Sequence, residues 1–552
     1  LSGRLRGADV VARTLVAAGV KRVFALSGNH VMAVFDAALD AQLDIIHVRH
    51  EAAAVHMADA WGRLTGEAGV ALVTGGPGHA NAVPALYTAL AAESPVLLLS
   101  GHAPLEEVGR GAFQELRQAE LAAPVTKASW TASSADALAP DLARALRVAK
   151  AGRPGPVHLS LPTDALDAIV AEGPSRPEVD APAAALSEAA ADAVLAQLAN
   201  AARPVVLVGP LLLRGQGQAA ARRLESATRV PVVGLESPRG LSDPTLGAFA
   251  EVLARADLIV LLGRQLDYAL QYGQAPAIAP GCRFVHIDPD PEAAGRTARE
   301  IGERLIFSAV ADAVPGAERL AERASRLAWS GTAWPEEVSA AVRYRPAAGA
   351  TLGSPRAGPV HPLDVCRAVQ KLLDLDPNAV LVSDGGEFGQ WAQACLAARH
   401  RVTNGPAGAI GAAVPFAVAA RLASPDAPVV AMSGDGAFGF HLAECDTAAR
   451  RKLPFVAVVG NDAFWNAERQ IQIRTYGAER AVGCELAPTR YDRVVAALGG
   501  HGEHVERAAD LGAALDRAFR SGRPACVNVA IASVPAPRLA RRGDGVQKED
   551  MR

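Results

Sequence analysis

The sequence predicts an α/β protein built as three doubly wound domains, each a parallel sheet with helices on both faces. Three observations predict it. Short continuous apolar runs alternate with helix-length amphipathic stretches, the pattern of parallel strands buried on both faces. Two passages rich in Pro, Gly and Ala, residues 172–185 and 346–360, interrupt that alternation with turn chemistry and little periodicity. The 552 residues, half of them hydrophobic, are enough for about three to four domain cores.

The first domain, residues 1–172, has strand-like runs at 22–26, 43–48, 70–74, 95–100 and 157–161, with helical patterns at 8–18, 31–39 and 52–64. The middle domain, 186–345, has strands at 205–208, 232–235, 258–262 and 283–288. The last, 359–532, has strands at 379–383, 428–433, 455–459 and 525–531, with a helix at 441–451. Residues 533–552 read as a tail without order, and no short-period repeat is present.

Composition excludes several classes. Fifty-five basic against 58 acidic residues leave a net charge of −3, so no whole-protein basic field is available for nucleic acid. The high apolar content and low net charge exclude bulk disorder. The longest nearly apolar stretch, 405–420, has 16 residues and is broken by Pro406 and Pro415, too short for a membrane span. Arg4, Arg6, Asp9 and Arg13 interrupt any signal-peptide core in residues 1–20. Cys282, Cys366, Cys395, Cys445, Cys484 and Cys526 form no CxxC pair and no zinc spacing, as expected of reduced, structural thiols in a cytoplasmic protein.

Three local signals carry chemistry. Gly434-Asp435-Gly436 follows an apolar strand, and Asn461-Asp462 closes the next one. Parallel strands joined by a crossover put both turns at the carboxyl edge of one sheet, where open α/β sheets bind ligands. Glycines there admit a phosphate close to the backbone, and Asp435 and Asp462 can converge on one hard cation. Alone, such a Gly-Asp-Gly is also an ordinary turn; the matched second strand argues against that. His50-Glu51 ends a strand and opens a helix, where Glu51 serves either chemistry or the helix dipole. Residues 74–81, TGGPGHAN, form a glycine-rich strand-to-helix turn of the kind that binds anions or planar rings, or merely connects.

Taken together, "RHEAAAVHMADAWGR" (49–63), "VTGGPGHAN" (73–81), "GAFQE" (111–115), "PVTK" (124–127) and the pair "GDGAF"/"GND" (434–462) make the chain resemble the thiamin-diphosphate (ThDP) enzyme superfamily over nearly its whole length. That superfamily contains acetolactate synthase, benzaldehyde lyase and the 2-hydroxyacyl-CoA lyases. The resemblance implies pyrimidine-binding, middle and diphosphate-binding domains in that order, with Mg2+ as a second cofactor. Glu51 looks like the glutamate that bonds the aminopyrimidine and lets the cofactor deprotonate its own thiazolium carbon. Pro77 and Asn81 fall in the pyrimidine site. Gly434, Asp435, Gly436, Ala437, Asn461 and Asp462 resemble the diphosphate and metal loop. Asp435, Asp462 and the main-chain carbonyl of Phe464 would supply the protein's metal ligands. Ile410 sits where the family places an apolar residue under the bent cofactor. The family's active site lies between two subunits, which implies a homodimer or homotetramer. Asp462 departs from the Asn-Asn usual in the motif, and Asn466 stands where glycine is frequent.

Within the superfamily, "FALSGNHVMAVF" (24–35) resembles benzaldehyde lyase and places His30 toward the reacting carbons; Gln114 matches an active-site glutamine. A His/Gln pair can move a proton to and from a substrate hydroxyl. Trp465 and Ala467 follow the same pattern. The middle domain has no Gly-Met-His-Gly segment, and "LLGRQLDYALQYGQAP" (261–276) looks like the FAD-free branch, so FAD is not expected. Asp288 is read as a helix cap, or else as a ribose ligand. The expected function is carbon–carbon lyase or carboligase chemistry on 2-hydroxy ketones, of benzaldehyde lyase type. The alternatives are a 2-hydroxyacyl-CoA lyase, with Arg538, Arg541, Arg542 and Lys548 reaching CoA phosphates, and an acetolactate synthase. A non-catalytic ThDP-binding protein would have lost Glu51 or the metal motif; both are present.

Overall fold

A computed structural model describes residues 5–170, 177–329, 332–345, 353–355 and 358–537. Residues 171–176, much of 346–357 and the tail from 538, with Arg538, Arg541, Arg542 and Lys548, lie outside the described residues. Three parallel sheets flanked by helices carry the fold.

The first sheet has six strands, in spatial order Asp44–His47, Arg22–Ala25, Gly69–Val73, Val96–His102, Pro156–Pro162 and Ala128–Thr131, all parallel. Every residue of Val96–His102 and Pro156–Pro162 is buried, including the polar Ser100, His102, His158 and Ser160, as expected of central strands covered on both faces. The last sheet also has six parallel strands: His400–Thr403, Val380–Ser383, Val429–Gly434, Val456–Asn461, Ala525–Ala530 and His501–Val505. Both sheets belong to one compact unit, residues 1–181, 354–392 and 396–533. The helices Glu51–Thr65 and Ala413–Ala423 pack on each other, and a single core runs from Phe24, Ile46 and Met57 to Phe416, Phe438 and Val459.

A buried ion pair and a cation–π contact fix that joint. Arg63 Nε donates to Asp59 Oδ1 at 2.7 Å, its Nη1 donates to the Thr403 carbonyl at 2.6 Å, and its guanidinium lies 5.0 Å from the Phe416 ring. With Asp59 fully buried, removal of Arg63 alone would strand a charge, at a cost of about 3–5 kcal/mol.

The second unit, residues 182–353 with 393–395 and the segment from 534, holds five parallel strands: Val232–Gly234, Pro204–Val208, Leu258–Leu262, Arg283–Asp288 and Leu305–Val310. Apolar cores lie on both faces, around Leu195 and Leu320 on one and Phe249 and Phe284 on the other. Asp288 does not cap the helix Pro291–Ile301; Asp290 does, accepting from Glu292 N at 2.9 Å. Asp288 is one step removed and accepts from Asp290 N.

The apolar runs identify the interior strands, while Ala128–Thr131, His400–Thr403, His501–Val505 and Leu305–Val310 went unrecognised in the sequence. All four are sheet edges. These four keep part of their surface toward solvent and have no continuous apolar run, unlike the edges Asp44–His47 and Val232–Gly234, which the sequence does mark. The helix expected at 441–451 is also different: one helix, Asp435–His441, starts directly at the Gly-Asp-Gly, and another, Glu444–Arg450, follows. Among the described residues no helix is long and apolar enough to cross a membrane, and all six cysteines are free thiols.

Candidate active site

The carboxyl edge of the first sheet gathers Glu51, His30, Gln114, Pro77 and Asn81. Glu51 opens the helix Glu51–Thr65, whose N-cap is His50: its Nδ1 accepts from Ala52 N at 3.1 Å. Asn81 Nδ2 donates to Glu51 Oε2 at 3.1 Å, so the carboxylate is held from the neighbouring helix Pro77–Ala91. Pro77 occupies the first position of that helix, where its missing N–H costs nothing. A Cβ on Gly78 would come 3.4 Å from Glu51 Oε1 and 2.7 Å from Thr74 Cγ2, so glycine lets this turn lie against the Glu51 side chain.

His30 is buried in the turn after Arg22–Ala25. Its Nδ1 lies 3.2 Å from Thr74 Oγ1 and its ring stacks on Phe113 with centroids 5.9 Å apart. Burial lowers its pKa, which favours the neutral ring needed to accept a proton. Gln114 adopts φ +58°, a left-handed backbone, and its backbone presses on Gly76, where a Cβ would meet the Gln114 carbonyl oxygen at 2.7 Å. One residue that sequence reading missed ties this edge together. Gln118, 1% exposed, accepts from Gly76 N at 2.8 Å and donates to Gly101 O and Ser160 Oγ, joining the ends of three strands.

At the carboxyl edge of the last sheet, Val429–Gly434 and Val456–Asn461 pair in register, Gly434 opposite Gly460, which brings Asp435 and Asp462 side by side. Asp435 is 2% exposed, and its Oδ2 has no hydrogen-bond partner. Burial, followed by the charge of Asp462, pushes its pKa up to about 7; burial pushes Asp462 up to about 6. Ala463, at φ +60°, turns the chain so that Phe464 N donates back to Asp462 Oδ1 at 3.2 Å. The adjoining backbone bonds run from Trp465 N to Cys484 O and from Leu486 N to Ala463 O; among the described residues none ends on the Phe464 carbonyl. Ala437 is buried in the helix that Asp435 begins. Asn461 braces this turn: its Nδ2 donates to Thr489 O and Asn528 Oδ1, and its Oδ1 accepts from Ala463 N at 3.3 Å.

The two glycines of Gly-Asp-Gly have different reasons. At Gly436 a Cβ would meet the Trp465 ring at 2.5 Å, so the chain's own packing demands glycine. At Gly434 a Cβ would make only ordinary contact, 3.9 Å from Phe388. Ile410, half-buried, lies against Gly385, where a Cβ would be 2.7 Å from Ile410 Cγ2. A second residue missed in the sequence holds this loop. The buried Asp384 carboxylate accepts from Gly385 N, Gly411 N and Ala413 N at 2.8–3.1 Å. Asp384 ends a strand in Ser-Asp-Gly-Gly, a weaker form of the Asp435 signature. Asn466, the other departure from the family pattern, is buried; its Oδ1 accepts from Gln470 and Ser533.

A divalent cation fits these residues. Two adjacent carboxylates, Asp435 buried with an orphaned oxygen and Asp462 partly buried, and an uncommitted carbonyl make a hard oxygen donor set. Among the described residues no cluster of three or more His, Cys, Asp or Glu side chains could hold a metal, so further ligands would come from phosphate oxygens or water. Within one chain, and among the described residues, no hydrogen bond or ion pair joins Glu51, His30 and Gln114 to the Asp435–Asp462 pair.

The chain belongs to the thiamin-diphosphate enzyme family. The sequence models of the thiamine pyrophosphate enzyme match in all three parts: the N-terminal TPP binding domain over residues 5–121, the central domain over 191–305 and the C-terminal TPP binding domain over 384–529. Across 537 residues, covering 94% of each chain, the protein is 34% identical to an acetolactate synthase large subunit of Mycobacterium tuberculosis and to a probable acetolactate synthase of Mycobacterium bovis. It is 30% identical to the human 2-hydroxyacyl-CoA lyase 2, covering 95% of this chain and 90% of that one. The protein is therefore a ThDP-dependent enzyme acting on carbon–carbon bonds.

Proposed function

We propose that the enzyme makes and breaks the carbon–carbon bond of 2-hydroxy ketones, as benzaldehyde lyase does, with ThDP and Mg2+ as cofactors in a homodimer or a larger homo-oligomer. The bound cofactor supplies a nucleophilic carbon for the substrate carbonyl. Asp435, Asp462 and the Phe464 carbonyl would hold the metal, which would offset the charge of the diphosphate, and Gly434 leaves room for it; nothing in the chain's own packing requires glycine at 434, whereas close approach of a phosphate does. Glu51 holds a proton at the pyrimidine, with Asn81 fixing its carboxylate. Ile410 supports the ring system from the loop that Asp384 secures.

The observation that carries the choice of substrate is His30. It is a buried, neutral imidazole, anchored by Thr74, stacked on Phe113 and on the same sheet edge as Gln114. Such a ring can take the hydroxyl proton as the bond breaks and return it on ligation.

The relatives favour two further readings, acetolactate synthase and 2-hydroxyacyl-CoA lyase. A single assay separates the three. With ThDP and Mg2+ supplied, benzoin should be cleaved to benzaldehyde, and His30→Ala should lose that activity by about a hundredfold or more. Turnover of pyruvate to acetolactate, or of a 2-hydroxyacyl-CoA, with benzoin left intact, would replace the proposal by the corresponding reading.

A further inference from the structure

The two residues at the substrate end of the first sheet, His30 and Gln114, each rest on a glycine. A Cβ on Gly101 would meet His30 Cβ at 2.5 Å and Val31 Cγ1 at 2.9 Å. A Cβ on Gly76 would meet Gln114 Cβ and the Gln114 carbonyl oxygen, both at 2.7 Å. Gly101 lies in the strand Val96–His102, and Gly76, at φ +56°, turns the chain after the neighbouring strand Gly69–Val73. One side-chain amide ties the two glycines together. Gln118 accepts from Gly76 N at 2.8 Å and donates to Gly101 O at 3.1 Å.

That amide has one orientation. Gly76 N only donates and Gly101 O only accepts, so turning the amide over would lose both bonds and set like against like. Its other N–H donates to Ser160 Oγ at 2.9 Å, and Ser160 Oγ in turn meets His158 Nε2 at 3.3 Å. A buried polar network satisfied in this way is rigid and specifies a single arrangement. We propose that Gln118 is a positioning residue that sets the spacing of His30 and Gln114 by clamping the two glycines on which they rest; this rests on the function proposed above, in which His30 moves the substrate proton beside Gln114. All of these residues lie in the N-terminal domain, so the clamp is complete within one chain, whichever subunit supplies the diphosphate half of the site.

The test uses the full-length holoenzyme with benzoin as substrate. Gln118→Met keeps the length of the side chain and removes the clamp. Small misplacement of a catalytic group costs up to about a hundredfold, so kcat for benzoin cleavage should fall by about ten- to a hundredfold. Exchange of the thiazolium C2 proton into heavy water depends on Glu51, which opens a helix of its own, and should stay near the wild-type rate. An equal loss in that exchange would mark a general loosening of the edge and overturn the spacing role. Gln118→Glu supplies the rescue. While protonated, its carboxyl still accepts from Gly76 N and donates to Gly101 O; once ionised it only accepts, and it repels that carbonyl. Burial raises a carboxyl pKa, so the ratio of variant to wild-type kcat should be highest at low pH and fall as pH rises. The titratable side chains packed around these strand ends, His30, His79, His102 and His158, are present in both proteins and cancel in the ratio. A space-filling role gives a ratio that does not change with pH, and that result overturns the clamp even where Gln118→Met fails to fold. Hydrogen exchange read by mass spectrometry, with no substrate present, should show residues 74–81 less protected in Gln118→Met. His30→Ala is measured in parallel. Lost activity in His30→Ala with wild-type kcat in Gln118→Met, or with unchanged protection of residues 74–81, overturns the clamp and leaves the proposed function standing. Wild-type kcat in His30→Ala, or benzoin left intact by the wild-type enzyme, overturns the proposed function and the role of Gln118 with it.

Discussion

The first and last sheets follow one plan. Counted along the chain, each orders its six strands second, first, third, fourth, sixth, fifth. In both, the turns after the second and third strands carry corresponding parts of the candidate chemistry. After the second strand, the first sheet presents Glu51 and the last presents Ile410. After the third, one has Thr74-Gly75-Gly76-Pro77 and the other Gly434-Asp435-Gly436. In the first, Gly76 at φ +56° and Pro77 bend the chain into its helix; in the last, Gly434 stays extended and Asp435 begins the helix at once. The shared topology thus fixes where a ligand can sit, and a handful of turn residues fixes what it is. One edge offers an imidazole, an amide and a single carboxylate; the other offers two carboxylates and a carbonyl.

The sharpest way to break this comparison is to remove the acid of the last sheet. Asp435→Ala should abolish Mg2+-dependent ThDP binding while the fold survives, and unchanged ThDP affinity by calorimetry would refute the metal assignment. Next in size is Glu51→Gln. Because the diphosphate contacts lie on the other edge, the variant should still bind ThDP, yet exchange of the thiazolium proton should slow by about a hundred- to ten-thousandfold. If Glu51 merely favours a helix start, the cost is about 1 kcal/mol or less of stability and no change in exchange.

A third prediction concerns pH, where the two halves should respond with opposite sign. Beneath the first sheet's edge, burial lowers His79 to about 4 and holds His158 well below its usual range. Between pH 4 and 6.5 the unfolded chain then binds more protons than the folded one, so this half loses stability as pH falls. In the last domain burial raises Asp435 to about 7 and pushes Asp384 and Glu444 upward from their ordinary values. At these three carboxyls the folded state binds more protons, and their contribution to stability without metal falls as pH rises from about 4 to 7. Hydrogen exchange read by mass spectrometry at pH 5 and pH 7 should show amides of 96–102 and 156–162 better protected at the higher pH, and those of 429–434 and 456–461 at the lower. The smallest expected effect is Asp462→Asn, which should keep activity and ThDP binding; a folded but inactive variant would give Asp462 a task beyond ligation.

Legibility in the sequence followed burial. Interior strands such as Leu258–Leu262, LIVLL, are apolar at every position and could be read directly, whereas the edge strand His501–Val505, HGEHV, has no such run. Asp435 and Asp462 were legible because a motif places them at two matched strand ends. Gln118 was not, because a buried glutamine in a short helix has no sequence signature; only the three strand ends converging on it disclose its task. The shared strand order was equally hidden. The two halves have different residues at nearly every turn, and topology is set by which strands pair, not by any repeat in the text.

The common core of the first and last sheets has a consequence for protein engineering. Residues 5–181 and 354–533 meet through the Glu51–Thr65 and Ala413–Ala423 helices, the Arg63–Thr403 bond and one continuous set of apolar side chains, while the 172 residues from 182 to 353 fall in a separate compact unit. Their union is made by contact, not by the peptide that leads from one to the other. Produced as two separate polypeptides, these fragments should find each other and reassemble, which makes the chain a candidate for split-protein complementation, with regained ThDP binding as the signal.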